Sequence, residues 1–189
     1  MNPSYCVLSV QVGVSKPIPI QGKRIMSAIE KKTVSGRIKV NPLGLEGDEQ
    51  ADPSVHGGLS KAVYAYPSEH YGYWRDQIEI PDLPHGSLGE NLTISGLLEK
   101  DLFVGDELHF RDCVLRVTQP RHPCYKFNAV MHDKLAAKKM AQTGFCGFYL
   151  SVKSAGSIMA GEEFELIPGE RSTSIMSLFK VTKAKTRND

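Results

Sequence analysis

The chain has 189 residues, 41% of them hydrophobic and 23% charged, which suffices for one well-buried domain and matches ordinary globular composition rather than disordered, collagen-like or coiled-coil classes. Its 23 basic and 21 acidic residues give a formal charge of +2 and are mostly interleaved, so no basic stripe marks a nucleic-acid partner, and a modestly charged small molecule suits the balance better. No run approaches the roughly 20 apolar residues of a membrane span, and Met1 to Val14 lacks the basic leader and apolar run of a secretory signal, so no membrane partner and a cytoplasmic location are expected.

In chain order, Tyr5 to Val14 reads as the first strand. A glycine-and-acid loop follows, Leu43-Gly44-Leu45-Glu46-Gly47-Asp48-Glu49-Gln50-Ala51-Asp52, leading to Val55-His56-Gly57-Gly58. Lys61 to Tyr66 is strand-like. Pro67 opens a helix to about Gln77 that places His70, Tyr71 and Trp74 on one side. Strands are predicted over Asn91 to Ser95, Glu107 to Phe110, Cys113 to Thr118, Gly147 to Lys153 and Glu162 to Ile167. Arg111-Asp112 sits at hairpin spacing, and Val104-Gly105-Asp106 is a tight turn. A second helix is predicted from Asp133, a capping residue, to a stop at Gly144. Many short strands and only two helices do not alternate as a parallel α/β sheet does. The fold class is therefore mainly β, a closed or partly closed β-barrel with a few short helices, over residues 1–168. A tail over 169–189 changes character from Arg171, with one apolar patch at Ile175 to Phe179, and reads as a frayed end or a single docked helix.

Four widely spaced cysteines, Cys6, Cys113, Cys124 and Cys146, contain no Cys-x-x-Cys pair and stay thiols in a reducing compartment. Cys6, Cys113 and Cys146 lie in or beside apolar runs and read as small core residues. Cys124 differs. In Gln119-Pro120-Arg121-His122-Pro123-Cys124-Tyr125-Lys126 two prolines stiffen the backbone, and Arg121, a charged His122 and Lys126 favour thiolate over thiol. Such a thiolate binds a soft metal or acts as a nucleophile; the bland alternative is another buried small residue. Gly57 and Gly58 let backbone approach a ligand, with Lys61 placed to meet a phosphate, or else they belong to a long connection. His56 also reads as a turn residue. Glu90 and Asn91, in Gly89-Glu90-Asn91-Leu92, could bond polar ligand edges, but such residues are more often turn or strand-end residues than ligand contacts. His70, His85, His109 and His132 have no partners at zinc-ligand spacing.

These segments taken together, in this order over Ile25 to Ile167, resemble the MOSC domain family, named for the carboxy-terminal domain of molybdenum cofactor sulfurase, and within it the YiiM-like group. The resemblance implies a β-barrel that binds the molybdenum cofactor (molybdopterin) through one protein cysteine, which Cys124 matches. It also implies reduction of N-hydroxylated compounds, such as 6-N-hydroxylaminopurine, to amines, as a detoxification. On this reading Cys124 is the metal ligand and His56 or His122 the proton donor. Arg121, Lys61 and Lys126 would hold the cofactor phosphate or offset the metal's charge. Gly57 and Gly58 would admit the pterin, with Asp48, Glu90 or Asn91 on its polar edge. The tail would be a truncated form of the group's helical extension, with Ser174 to Lys180 as its first helix, and a separate reductase would supply electrons, since no flavin, haem or nicotinamide motif is present. Two rivals follow from the same residues: a non-catalytic carrier of cofactor or sulfur, and a cofactor-free thiol enzyme with Cys124 as nucleophile beside His56 or His122.

Overall fold

The computed structural model describes residues 4–51 and 57–185. Strand β1 (Tyr5–Val12) turns Val7 and Val10 inward and, at a register shift between Val7 and Ser9, exposes Leu8. A hairpin follows, β2 (Lys16–Ile20) and β3 (Lys23–Ser27), which the alternation of exposed Pro17 and Pro19 with buried Ile18 and Ile20 stabilises. Its turn is Gln21-Gly22, with φ of 50° and 78°, the left-handed pair that suits the strands' twist. Short strands β4 (Lys32–Val34), β5 (Ile38–Asn41) and β6 (Gly44–Leu45) complete the amino-terminal third.

Next come β7 (Val63–Pro67), helix α1 (Tyr71–Ile78), β8 (Leu92–Ser95), β9 (Glu107–His109) and β10 (Val114–Pro120). The predicted first helix splits into a 3-10 turn over Ser68–His70 and α1, which a left-handed Glu79 ends. Helices α2 (Tyr125–Val130) and α3 (Ala136–Thr143) precede β11 (Phe148–Ser154), β12 (Gly156–Ile158), β13 (Glu163–Ile167) and α4 (Ile175–Lys185). α3 begins three residues later than Asp133. That carboxylate instead accepts the Leu135 amide at 2.8 Å and pairs with Lys139, while Gly144 closes the helix at φ 75°.

Seven strands close a barrel in the order β13, β9, β10, β11, β7, β8, β1, with β1 pairing back onto β13 and β4 appended to β1. Neighbours are antiparallel except β7 and β8, which are parallel because the connection between them is a crossover carrying α1. Inside the barrel lie Val7, Val10, Leu92, Ile94, Leu108, Leu115, Phe148 and Leu150. A second, aromatic core of Tyr66, Tyr71, Trp74, Phe127 and Met140 fills the space between the barrel and its helices. Its polar tips are satisfied: Trp74 Nε1 donates to Tyr66 Oη at 2.6 Å, and Tyr66 donates to the Phe145 carbonyl at 3.0 Å. Ile175 of α4 enters the barrel core and Phe179 the aromatic one, so the tail docks as a helix across both. Among the described residues no helix is long and apolar enough to cross a membrane.

Candidate functional site

Strand β10 slips register against β11 between Val117 and Gln119. Thr118 Oγ1 lies 2.6 Å from the Ser60 carbonyl and 3.0 Å from that of Tyr149, tying the slip to both neighbours. The strand ends at Pro120, and four residues later Cys124 stands in extended conformation as the N-cap of α2. The sulfur thus sits at a strand-to-helix junction braced by two prolines, half-buried.

Arg121 is the most unusual group here. It is only 5% exposed, its guanidinium 5.2 Å from the Tyr64 ring centre and 4.7 Å from that of Phe127. Among the described residues no carboxylate forms an ion pair with it. Burial alone would lower its pKa, yet Tyr64, Tyr149 and the Cys124 sulfur together hold it above the ordinary arginine value. Its backbone amide donates to the Gly147 carbonyl at 3.4 Å, and Gly147 N donates to Glu99 Oε1 at 2.7 Å. The other Glu99 oxygen meets His70 Nε2 at 2.8 Å, and the His70 ring stacks on Phe145 at 3.9 Å. A fully buried polar pair therefore underlies the loop.

One pocket collects Cys124, Arg121, Lys61 and Lys126 with the Tyr64 and Tyr149 rings, around about 670 Å³ of space partly open to solvent. Lys61 Nζ lies 5.9 Å from the Tyr149 ring centre, and Lys126 Nζ donates to the Met26 carbonyl at 3.1 Å. Burial raises the Tyr149 phenol's pKa, with Arg121 pulling the other way, so the hydroxyl keeps its proton at neutral pH. Ser27, Ile29, Lys31, Asp48, Gln50 and Asn91 build the facing wall. Lys31 and Asp48 form a buried ion pair at 2.5 Å there, and Asp48 also accepts the Gly13 amide at 2.7 Å.

The fold brings Cys124, Arg121, Lys61, Lys126, Asp48 and Asn91 to this pocket and leaves other expected residues elsewhere. Glu90 turns into the core, where Tyr71 Oη, Thr93 Oγ1 and the amides of Gly86 and Leu88 all donate to its carboxylate. The Asn91 side chain is engaged by the Tyr64 amide and the Gln11 carbonyl. Gly58, at φ 83°, donates its amide to Gln50 Oε1 at 2.8 Å, so it shapes the wall through Gln50, and buried Gly57 precedes it outside the lining. His122 does not line the pocket and stacks flat on Phe179, rings 5.5 Å apart and 5° from parallel. Burial and Lys61 lower its pKa, so at neutral pH it is the uncharged imidazole and adds no cation beside the sulfur. His56 lies outside the described residues. Lys31, Tyr64 and Tyr149 join the site unannounced by any local motif.

Of the other thiols Cys6 is half-buried, while Cys113 and Cys146 are shielded. Burial pushes Cys113 up to about 12 and Cys146 well above the ordinary thiol range.

Residues 52–165 match the family model of the MOSC domain. Over 75% of its length the chain is 41% identical to protein YiiM of Escherichia coli (strain K12), of which it spans 64%. Over 95% of its length it is 34% identical to a protein of Gibberella moniliformis named reductase, of which it spans 32%. The crystal structure of YiiM from Geobacillus stearothermophilus superposes with a TM-score of 0.78 at 31% identity, over 96% of this chain and 85% of that one.

Proposed function

The chain belongs to the MOSC domain family, and on that premise we propose that it binds the molybdenum cofactor through Cys124 and reduces N-hydroxylated compounds of the hydroxylaminopurine type to amines. The observation that carries this is the placing of one half-buried thiol in a pocket with three cationic side chains, one of them a buried guanidinium with no carboxylate among the described residues. A thiolate is a soft ligand suited to a metal held mostly by sulfur. Among the described residues no three His, Cys, Asp or Glu side chains gather to hold a metal ion, so a metal at Cys124 would bring its remaining ligands on a small molecule. A dithiolene with a phosphate is such a molecule, and both its ends are anionic, which Arg121, Lys61 and Lys126 offset. The likeness to a protein named reductase supports redox chemistry.

When bound, the cofactor supplies the two electrons that cleave an N–O bond. The chain's own residues do the rest. Cys124 fixes the metal's position on a stiff junction, and Arg121 and Lys61 hold negative charge on one side. Tyr149, which burial keeps protonated, offers a hydroxyl hydrogen-bond donor inside the pocket. Forming an amine and water from a hydroxylamine takes two electrons and two protons, and the electrons would come from a separate reductase.

The test is to produce the protein in cells able to make the cofactor. We expect about one molybdenum per chain, lost in Cys124→Ser, and conversion of 6-N-hydroxylaminopurine to adenine with a chemical reductant. Full molybdenum occupancy without turnover would leave the carrier reading instead. Absence of metal from wild-type protein would leave the cofactor-free thiol enzyme.

A further inference from the structure

The loop that carries Cys124 has two sides. One is the pocket; the other faces the carboxy-terminal helix. There Phe179, 3% exposed, lies flat against His122 two residues ahead of the cysteine. The helix has firm footing: Ile175 is fully buried in the barrel core and its amide donates to the Leu102 carbonyl at 2.9 Å. The Met176 side chain covers Gly144, so close that a Cβ at that glycine would meet its terminal carbon at 2.8 Å. Across the loop, Arg121 is wedged between Tyr64 and Phe127. The segment between Pro120 and Cys124 is thus clamped at Arg121 from the barrel and at His122 from the tail.

We infer that Phe179 is a positioning residue for the site: its stack on His122 fixes the backbone leading into Cys124 and so sets how the sulfur presents itself to the pocket. His122 then serves as the post on which the tail helix rests. An aromatic face against a flat imidazole restrains both rotation and displacement of the loop, which an aliphatic contact of equal volume does not. The inference stands on the stacking geometry and holds whether Cys124 binds a metal or reacts as a free thiol. It extends the proposed function only in saying what orients the ligand.

The experiment follows the rate at which iodoacetamide modifies each cysteine of the full chain, read by peptide mass spectrometry. Phe179→Leu keeps an apolar side chain but removes the flat face; Phe179→Tyr keeps the face. Phe179→Leu should raise the Cys124 rate about three- to tenfold, the factor a lost aromatic stack represents. Cys113 and Cys146, both buried, should remain as slow as in the wild type, and Phe179→Tyr should restore the wild-type Cys124 rate. A Cys124 rate in Phe179→Leu within twofold of wild type overturns the inference. So does a parallel rise at all three cysteines, which is the sign of general loosening. A selective rise at Cys124 in Phe179→Leu, together with a wild-type protein that takes up no molybdenum, would uphold the positioning role and remove the metal-ligand reading.

Discussion

Replacing Asp48 with alanine strands the Lys31 ammonium in the pocket wall. The two side chains are 7% and 6% exposed and 2.5 Å apart, and the same Asp48 oxygen accepts the Gly13 amide at 2.7 Å. Removing one partner of a buried pair leaves an uncompensated charge, which destabilises by about 3–5 kcal/mol. The lost bond from Gly13 adds about 1 kcal/mol. Part of this is recovered as Lys31 swings its long stem toward solvent, so a net loss of about 3 kcal/mol is expected. For a chain of this size that lowers the melting temperature by about 6–12 °C, measurable by calorimetry or urea titration. The Lys31→Met, Asp48→Ala double variant removes both charges, so it should be less destabilised than the sum of the single variants by at least about 1 kcal/mol. Additive losses, or a loss under about 1 kcal/mol in Asp48→Ala, would show that the pair contributes no more than a surface contact.

Lys153, His109 and Arg116 hold the Glu107 carboxyl down to about 2, against an ordinary 4.5. A depressed carboxylate stabilises the fold above its unfolded pKa and loses that contribution as pH falls through the folded one. Because Lys153 and Arg116 are each 47% exposed, solvent screening reduces the gain to about 1 kcal/mol. Stability curves of wild type and Glu107→Gln should therefore converge by about this amount between pH 4.5 and 2, and parallel curves would sink the assignment. Gly147→Ala should be far more damaging. The glycine sits at φ 63°, and a Cβ there would lie 2.5 Å from the Ala65 carbonyl oxygen, a backbone atom of β7 that cannot yield. A loss of about 3 kcal/mol or more is expected by urea titration, and a variant as stable as wild type would show that the strand does move.

Much of the barrel was legible because its long strands alternate. In β10, Leu115 and Val117 face inward between more exposed neighbours, and Arg111-Asp112 closes the β9–β10 turn where hairpin spacing placed it. The β2–β3 hairpin was hidden by its prolines. Pro17 and Pro19 look like breakers, yet both point outward while Ile18 and Ile20 are buried. Strands β4, β5 and β6, of three, four and two residues, were not legible, whereas the equally short β8 and β9 were. Helix α2 is six residues long and starts on the residue after Cys124, so it looked like more of the loop.

The site divides along the same line. Cys124, Arg121 and Asp48 announce themselves through proline, charge and turn chemistry in their own segments. Lys31, Tyr64 and Tyr149 carry no such sign, because what makes them part of the pocket is barrel closure, which sets β7 beside β11 and folds the amino-terminal loop over both. Glu90 shows the converse. Its place beside glycines in a polar turn suggested a ligand contact, but four donors converge on its carboxylate and turn it into the anchor of the 86–93 turn. A buried acid that already accepts from two hydroxyls and two backbone amides is committed to holding its own turn. Arg121 is the opposite case in the same molecule: a cation enclosed by aromatic faces, its charge unmatched by any described carboxylate, with Nη1 donating to the soft sulfur of Met140 at 3.4 Å.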